Sequence, residues 1–253
     1  MHDRPWQLVI FDNDGVVVDS EPLASVATSQ VLTALGHPMT PAECDSAFRG
    51  ISLPTTRRIV EQGSGRPLPP DFEDRYVARV AELIASELRP VPGVVAVLDL
   101  LDAAGQPYCM ASSSRRQVIS LALRTTGLAE HFAGRWWGAE DVAAAKPAPD
   151  LFLLAASSMG TRPMDCVVVE DSAAGVQAAR SANMTVLGFA ARTPPEELHL
   201  ADQIFTDMDQ LPALLLGGES APAQVVVDQG GQVPGHAVRR RVHGEVGGLG
   251  HPG

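Results

Sequence analysis

Two aspartates, Asp12 and Asp14, close the apolar run QLVIFDND at residues 7–14. Three hydroxyls, Ser112, Ser113 and Ser114, follow a second apolar run, and the adjacent acids Glu170 and Asp171 end a third, DCVVVED. Four carboxylates drawn into one crevice repel one another unless a cation lies among them. Hard oxygen donors with little nitrogen or thiolate favour Mg2+. A further positive charge is available from AAAKPAPD, where Lys146 is the only lysine in a chain with eighteen arginines. A slender ammonium reaches one buried oxyanion as a point charge, whereas a guanidinium fork needs more room and a bidentate partner. These residues therefore suit a crevice that binds an anion beside a divalent cation. Local patterning leaves other readings open. Lys146 also fits a surface loop, Glu170 and Asp171 fit acids complementing a helix macrodipole, and Ser114 with Gln117 fits a helix N-cap with its capping box.

Such residues can meet only if several strands end together. QLVIFDND, QPYCMASSS (106–114), DCVVVED (165–171), MTVLGFA (184–190) and, in weaker pattern, GRWWGAED (134–141) read as short buried strands. Helical patterns lie between them and close on Gly105, Gly127, Gly160 and Asn183, residue types that accept the left-handed conformation after a last turn. The alternation implies an α/β fold with a doubly wound, Rossmann-like parallel sheet, which binds ligands at the carboxyl ends of its strands.

Between residues 20 and 91 the alternation stops. Leu23, Ala27, Val31 and Leu35 recur every fourth residue before Gly36, and Thr40, Pro41 and Glu43 predict a capping box. Further helices are expected over 54–62 and 71–88. The predicted organisation is an α/β core from 1–19 and 92–216, with an inserted helical cap over 20–91. Its hinges would lie at 15–20 and 88–92. After Leu216 the chain holds ten of its 23 glycines and shows no helix or strand period, so a disordered tail is expected over 217–253.

A net charge of -11 argues against a nucleic-acid surface, which needs clustered cations to replace counterions. No apolar run approaches the ~18 residues of a membrane span, and the start of the chain lacks the pattern of a secretory leader, so a cytoplasmic protein is expected. Cys44, Cys109 and Cys166 are odd in number, and the last two lie in apolar runs, which predicts buried reduced thiols. No oligomeric state can be read from the pattern, and a monomer is compatible with it.

The segments FDNDGVVVDS, MASSSRR, KPAPDLF and VVVEDSAAG, in that order, resemble the four motifs of the haloacid dehalogenase superfamily. The insertion after the first motif resembles the superfamily's α-helical cap subgroup of sugar-phosphate phosphatases and β-phosphoglucomutases. The resemblance spans about residues 7–215. It implies that Asp12 is a nucleophile forming an aspartyl-phosphate, and that Asp14 is the general acid and base. It further implies that Lys146 bridges the nucleophile and a phosphoryl oxygen, and that Ser112 and the Ser113 backbone N–H bind phosphate. Mg2+ would be held by Asp12, the Asp14 main-chain carbonyl, Glu170 and Asp171.

Within that resemblance, the acid at Asp14 argues against dehalogenation, because a departing halide needs no proton. The absence of lysine over 20–91 argues against a Schiff-base phosphonate hydrolase. A hexose-phosphate mutase of the β-phosphoglucomutase kind is the alternative, weakened because Ala24 and Leu53 stand where those enzymes carry a histidine and an arginine. The implied reading is a phosphatase whose partner is a small phosphorylated molecule: a sugar, sugar-acid or polyol phosphate. Arg49, in FRGIS, is a candidate for contacting that substrate and fits a surface arginine before a turn equally well.

Overall fold

The computed structural model describes residues 6–49 and 51–216; the tail expected over 217–253 lies outside the described residues. Six strands, β1 (Leu8–Phe11), β2 (Tyr108–Ala111), β3 (Trp136–Trp137), β4 (Cys166–Glu170), β5 (Thr185–Phe189) and β6 (Gln203–Phe205), form one parallel sheet in the order β3-β2-β1-β4-β5-β6. Strand side chains alternate between two buried faces. Val9, Phe11, Tyr108, Met110, Val167 and Val169 pack on one side. Leu8, Ile10, Cys109, Ala111, Cys166 and Val168 pack on the other. This two-sided burial explains why the strands read as unbroken apolar runs. β6 was not anticipated, because its three residues QIF sit among polar neighbours and offer no period.

Four helices lie between β1 and the return to the sheet: α1 (Glu21–Ala34), α2 (Pro41–Phe48), α3 (Leu53–Ser64) and α4 (Phe72–Glu87). The predicted capping box is formed. Glu43 N–H donates to Thr40 Oγ1 at 3.2 Å, and Thr40 N–H donates to Glu43 Oε2 at 2.7 Å. Val31, Leu32, Cys44, Val60, Leu68 and Phe72 make a small core of their own within the insertion. Leu23, Ala27, Leu83 and Ile84 instead join the cluster that covers one face of the sheet. The chain enters and leaves the insertion side by side: Asp19 N–H donates to Arg89 O at 3.0 Å, and Val91 N–H donates to Val17 O at 3.0 Å.

The remaining helices are α5 (Val94–Ala104), α6 (Arg116–Thr126), α7 (Asp150–Ser158), α8 (Ala173–Ser181) and α9 (Leu211–Leu216). Gly105, Gly127, Gly160 and Asn183 all have positive φ, as their places after helical runs predicted. The three cysteines are free and buried. Among the described residues no helix is long and apolar enough to cross a membrane.

Candidate active site

Strand order reverses between β1 and β4, and ligands of such sheets bind in the crevice at that switch point. Phe11 pairs with Val169, and the next residue, Asp12, is fixed by its own backbone: Asp12 N–H donates to Val169 O at 2.9 Å. β4 carries Glu170 to the same edge, and Asp171 comes directly after it. On the other side of β1, Ser112 leaves β2 with its N–H bound to Trp137 O of β3 at 3.0 Å. Parallel pairing thus gathers residues separated by more than a hundred positions.

Lys146 reaches this edge from the segment before α7. Its Nζ donates to Asp12 Oδ1 at 2.6 Å, Glu170 Oε1 at 2.8 Å and Ala111 O at 3.2 Å. An ammonium has three N–H donors, and three acceptors surround it. The side chain is only 5% exposed, and Nζ lies 4.6 Å from the ring centroid of buried Phe152. The alternative of a surface lysine is thereby corrected. The link to Glu170 could not be inferred from spacing.

The side chains of Asp12, Glu170 and Asp171 approach closely enough for their ligand oxygens to lie within 4.8 Å of one another. Burial pushes the Asp12 carboxyl up to about 7, with Lys146 opposing the rise and Glu170 and Asp14 adding to it. Asp171 is raised well above the ordinary carboxyl range by burial, then by Glu170, Asp12, Glu21 and Asp14. For Lys146 burial disfavours the charge, but Asp12 and Glu170 outweigh it and its pKa rises. With all three carboxylates ionised, one ammonium would leave two uncompensated negative charges, the amount a divalent cation supplies. All the donors are hard carboxylate oxygens, which suits a metal such as Mg2+.

Glu170 has both oxygens engaged, Oε1 by Lys146 and Oε2 by the N–H of Ser172 at 2.7 Å and its hydroxyl at 3.0 Å. No hydrogen bond to the Asp171 side chain occurs among the described residues. Two glycines make room for this packing. A Cβ on Gly15 would lie 1.9 Å from Asp171 Oδ2, and one on Gly175 would lie 1.7 Å from Glu170 Oε1. Gly15 is doubly constrained, because its φ is +79°.

Asp14 stands apart from the trio and is held by three hydroxyls. Ser20 Oγ donates to its Oδ1 at 2.7 Å; Ser114 Oγ and Ser112 Oγ donate to its Oδ2 at 2.8 and 3.3 Å. The N-cap alternative for Ser114 is corrected: α6 begins at Arg116, Arg115 occupies the capping position, and the Ser114 hydroxyl is turned to Asp14. Ser113 is exposed in the same loop. Ser172 and Phe152 were not singled out, because their contacts are tertiary.

Arg49 ends α2 and is exposed. It forms an ion pair with Asp45, and its Nη1 donates to Arg192 O at 2.9 Å. It lines a cavity of about 210 Å³ together with Glu21, Thr28, Asp45 and Tyr76.

Fold and site together have the architecture of a doubly wound α/β protein with a helical insertion after its first strand and a buried acidic cluster at the switch point of its sheet. The chain belongs to the haloacid dehalogenase-like hydrolase family, whose model matches residues 6–183, so the resemblance read from the motifs is borne out. It is 31% identical to 6-phosphogluconate phosphatase of Escherichia coli over 210 residues, covering 82% of this chain and 94% of that protein. It is also 31% identical to hexitol phosphatase A of Escherichia coli, covering 80% and 91% of the two chains. A crystal structure of a HAD family hydrolase from Deinococcus radiodurans, with bound phosphate and sodium, superposes with a TM-score of 0.75. It shares 31% identity over 84% of this chain and 96% of that one. The two Escherichia coli homologues are thus phosphoric monoester hydrolases that act on small phosphate esters.

Proposed function

We propose that this chain is a Mg2+-dependent phosphatase that hydrolyses a small phosphomonoester, a sugar, sugar-acid or polyol phosphate, through an aspartyl-phosphate. The observation that carries the reading is Lys146 bound to Asp12 and Glu170 beside Asp171, an arrangement that leaves negative charge for a divalent cation to match. The names of the homologous phosphatases support the substrate class. When bound by Asp12, Asp171, the Asp14 main-chain carbonyl and Glu170, Mg2+ supplies Lewis-acid stabilisation of phosphoryl charge.

The chain's own residues perform the proton and bond changes. An Asp12 carboxylate oxygen attacks phosphorus, the ester P–O bond breaks, and Asp14 gives its proton to the departing alkoxide. Asp14 then takes a proton from a water that attacks the aspartyl-phosphate, which releases inorganic phosphate and restores the Asp12 carboxylate. Ser20 and Ser114 keep both Asp14 oxygens in fixed directions through these transfers. Lys146 lowers the repulsion between an anionic nucleophile and an anionic phosphoryl group. Ser112 and the Ser113 N–H are assigned to the phosphoryl oxygens. Ala24 lines the cavity beside α1 and brings only a methyl group there, which supports hydrolysis over the mutase alternative.

A phosphate-release screen over sugar, sugar-acid, polyol and nucleotide monophosphates tests the reading. Release that requires Mg2+ and is confined to small esters is expected. Release unaffected by metal chelation, or no release from any phosphomonoester, would contradict it.

A further inference from the structure

A cavity within the insertion carries an acid, Glu21, with which no cation among the described residues forms an ion pair. Its polar lining includes Glu21, Ser25, Thr28, Asp45, Arg49 and Tyr76. It adjoins the catalytic edge: Glu21 directly follows Ser20, whose hydroxyl holds Asp14. The charge of Glu21 acts on Asp171, and that of Asp14 acts on Tyr76.

Two guanidinium groups lie near this acid, and each is committed elsewhere. Arg49 pairs with Asp45. Arg192 grips Asp19 through two bonds, Nε to Oδ1 at 3.1 Å and Nη2 to Oδ2 at 3.0 Å, and its carbonyl receives Arg49 Nη1. Glu21 Oε2 is buried and has no hydrogen-bond partner among the described residues. A buried carboxylate oxygen without a donor is costly, and a ligand hydroxyl removes that cost where a ligand carboxylate increases it.

Resting on the phosphatase reading, we infer that this cavity selects esters whose far end is uncharged and hydroxylated, with a substrate hydroxyl donating to Glu21 Oε2, and rejects esters whose far end is a carboxylate. The substrate class is thereby narrowed to sugar and polyol phosphates, and sugar-acid phosphates are disfavoured. Specificity of this kind arises as much from repelling the wrong partner as from binding the right one.

The test compares a hexitol 6-phosphate with 6-phosphogluconate, which have the same carbon count and differ in a terminal hydroxymethyl or carboxylate. The full chain is assayed with Mg2+, and p-nitrophenyl phosphate serves as a general ester. The hexitol ester is expected to have a kcat/KM at least about tenfold higher, and Glu21→Gln is expected to narrow that ratio several-fold, chiefly through KM. Equal or faster turnover of 6-phosphogluconate by the unsubstituted protein would overturn the inference, whatever the behaviour of the variant. So would a ratio unchanged in a folded Glu21→Gln protein, or hydrolysis of p-nitrophenyl phosphate with neither hexose-derived ester accepted. Failure to hydrolyse all three would instead remove the phosphatase reading, and this inference with it.

Discussion

Lys146 Nζ lies 2.6 Å from Asp12 Oδ1 across 134 residues of sequence, and the two side chains are 5% and 10% exposed. The same ammonium lies 2.8 Å from Glu170 Oε1, so a single lysine pairs with acids from two adjacent strands. Removing one member of a buried ion pair leaves the others uncompensated, at a cost of about 3–5 kcal/mol.

Lys146→Arg tests whether shape matters as well as charge. Phe152 and three acceptors close around the ammonium, and a planar guanidinium does not fit that space without displacing Asp12. A loss of about a hundredfold in kcat with the fold retained is expected. Steady-state kinetics beside far-UV circular dichroism provide the check, and an unchanged kcat would show that any cation serves. Lys146→Met, which leaves no charge at all, is expected to lower the denaturant midpoint as well.

Gly15→Ala combines two penalties. The residue has a φ of +79°, which costs a non-glycine residue roughly 1 kcal/mol, and the new methyl would meet Asp171 Oδ2 at 1.9 Å. Asp171 must then move out of the carboxylate cluster. Activity is expected to fall by about tenfold or more, with Mg2+ titration showing a raised half-saturation concentration. A variant whose metal dependence matched the parent would mean that Asp171 tolerates the displacement.

Asp171→Asn separates the cost of the acid from its use. Without metal, burial and the nearby Glu170 and Asp12 disfavour the charged form of Asp171, whereas the amide has no charge to disfavour. Calorimetry in chelator is therefore expected to give the variant a Tm equal to or above that of the parent. Added Mg2+ should raise the Tm of the parent by mass action and leave that of the variant nearly unmoved. A parent whose Tm ignores Mg2+ would argue against a metal site at this edge.

A pH effect is expected from the insertion. Arg57 joins α3 to α4 by donating Nε to Glu73 Oε1 at 2.8 Å, and this bond holds the Glu73 carboxyl down at about 2 against an ordinary 4.5. Because the folded value is the lower one, the stabilisation is fully present above about pH 4.5 and is lost as pH falls towards 2. The pair is partly exposed, so its contribution is about 0.5 kcal/mol. Urea midpoints of the parent and Glu73→Gln should differ most above pH 4.5 and converge near pH 2. A constant difference across that range would assign the effect to packing.

Much of this arrangement is legible in the chain because its causes are local. β-Branched runs buried on both faces announce a parallel sheet, and parallel strands must deliver the residues at their carboxyl ends to one edge. The helix ends at Gly105, Gly127 and Asn183, and the capping box at Thr40, could be read for the same reason. The unusual lysine was conspicuous by composition alone. The features that escaped depend on distance rather than spacing. The turn of Ser114 towards Asp14 and the second contact of Lys146 with Glu170 exist only after β1, β2 and β4 align, and the unpartnered Glu21 Oε2 only after the insertion helices pack. β6 escaped because three residues are too few to carry a period.

The central claim is that Asp12 accepts the phosphoryl group. Brief mixing of the Mg2+-loaded protein with a phosphorus-labelled substrate, then acid quench and peptide mapping, tests it most directly. Label is expected on the peptide holding Asp12, bound as an acid-stable and hydroxylamine-labile acyl phosphate, and is expected to vanish in Asp12→Asn together with turnover. Sustained phosphate release by Asp12→Asn at the parent's rate, or label on another residue, would contradict it.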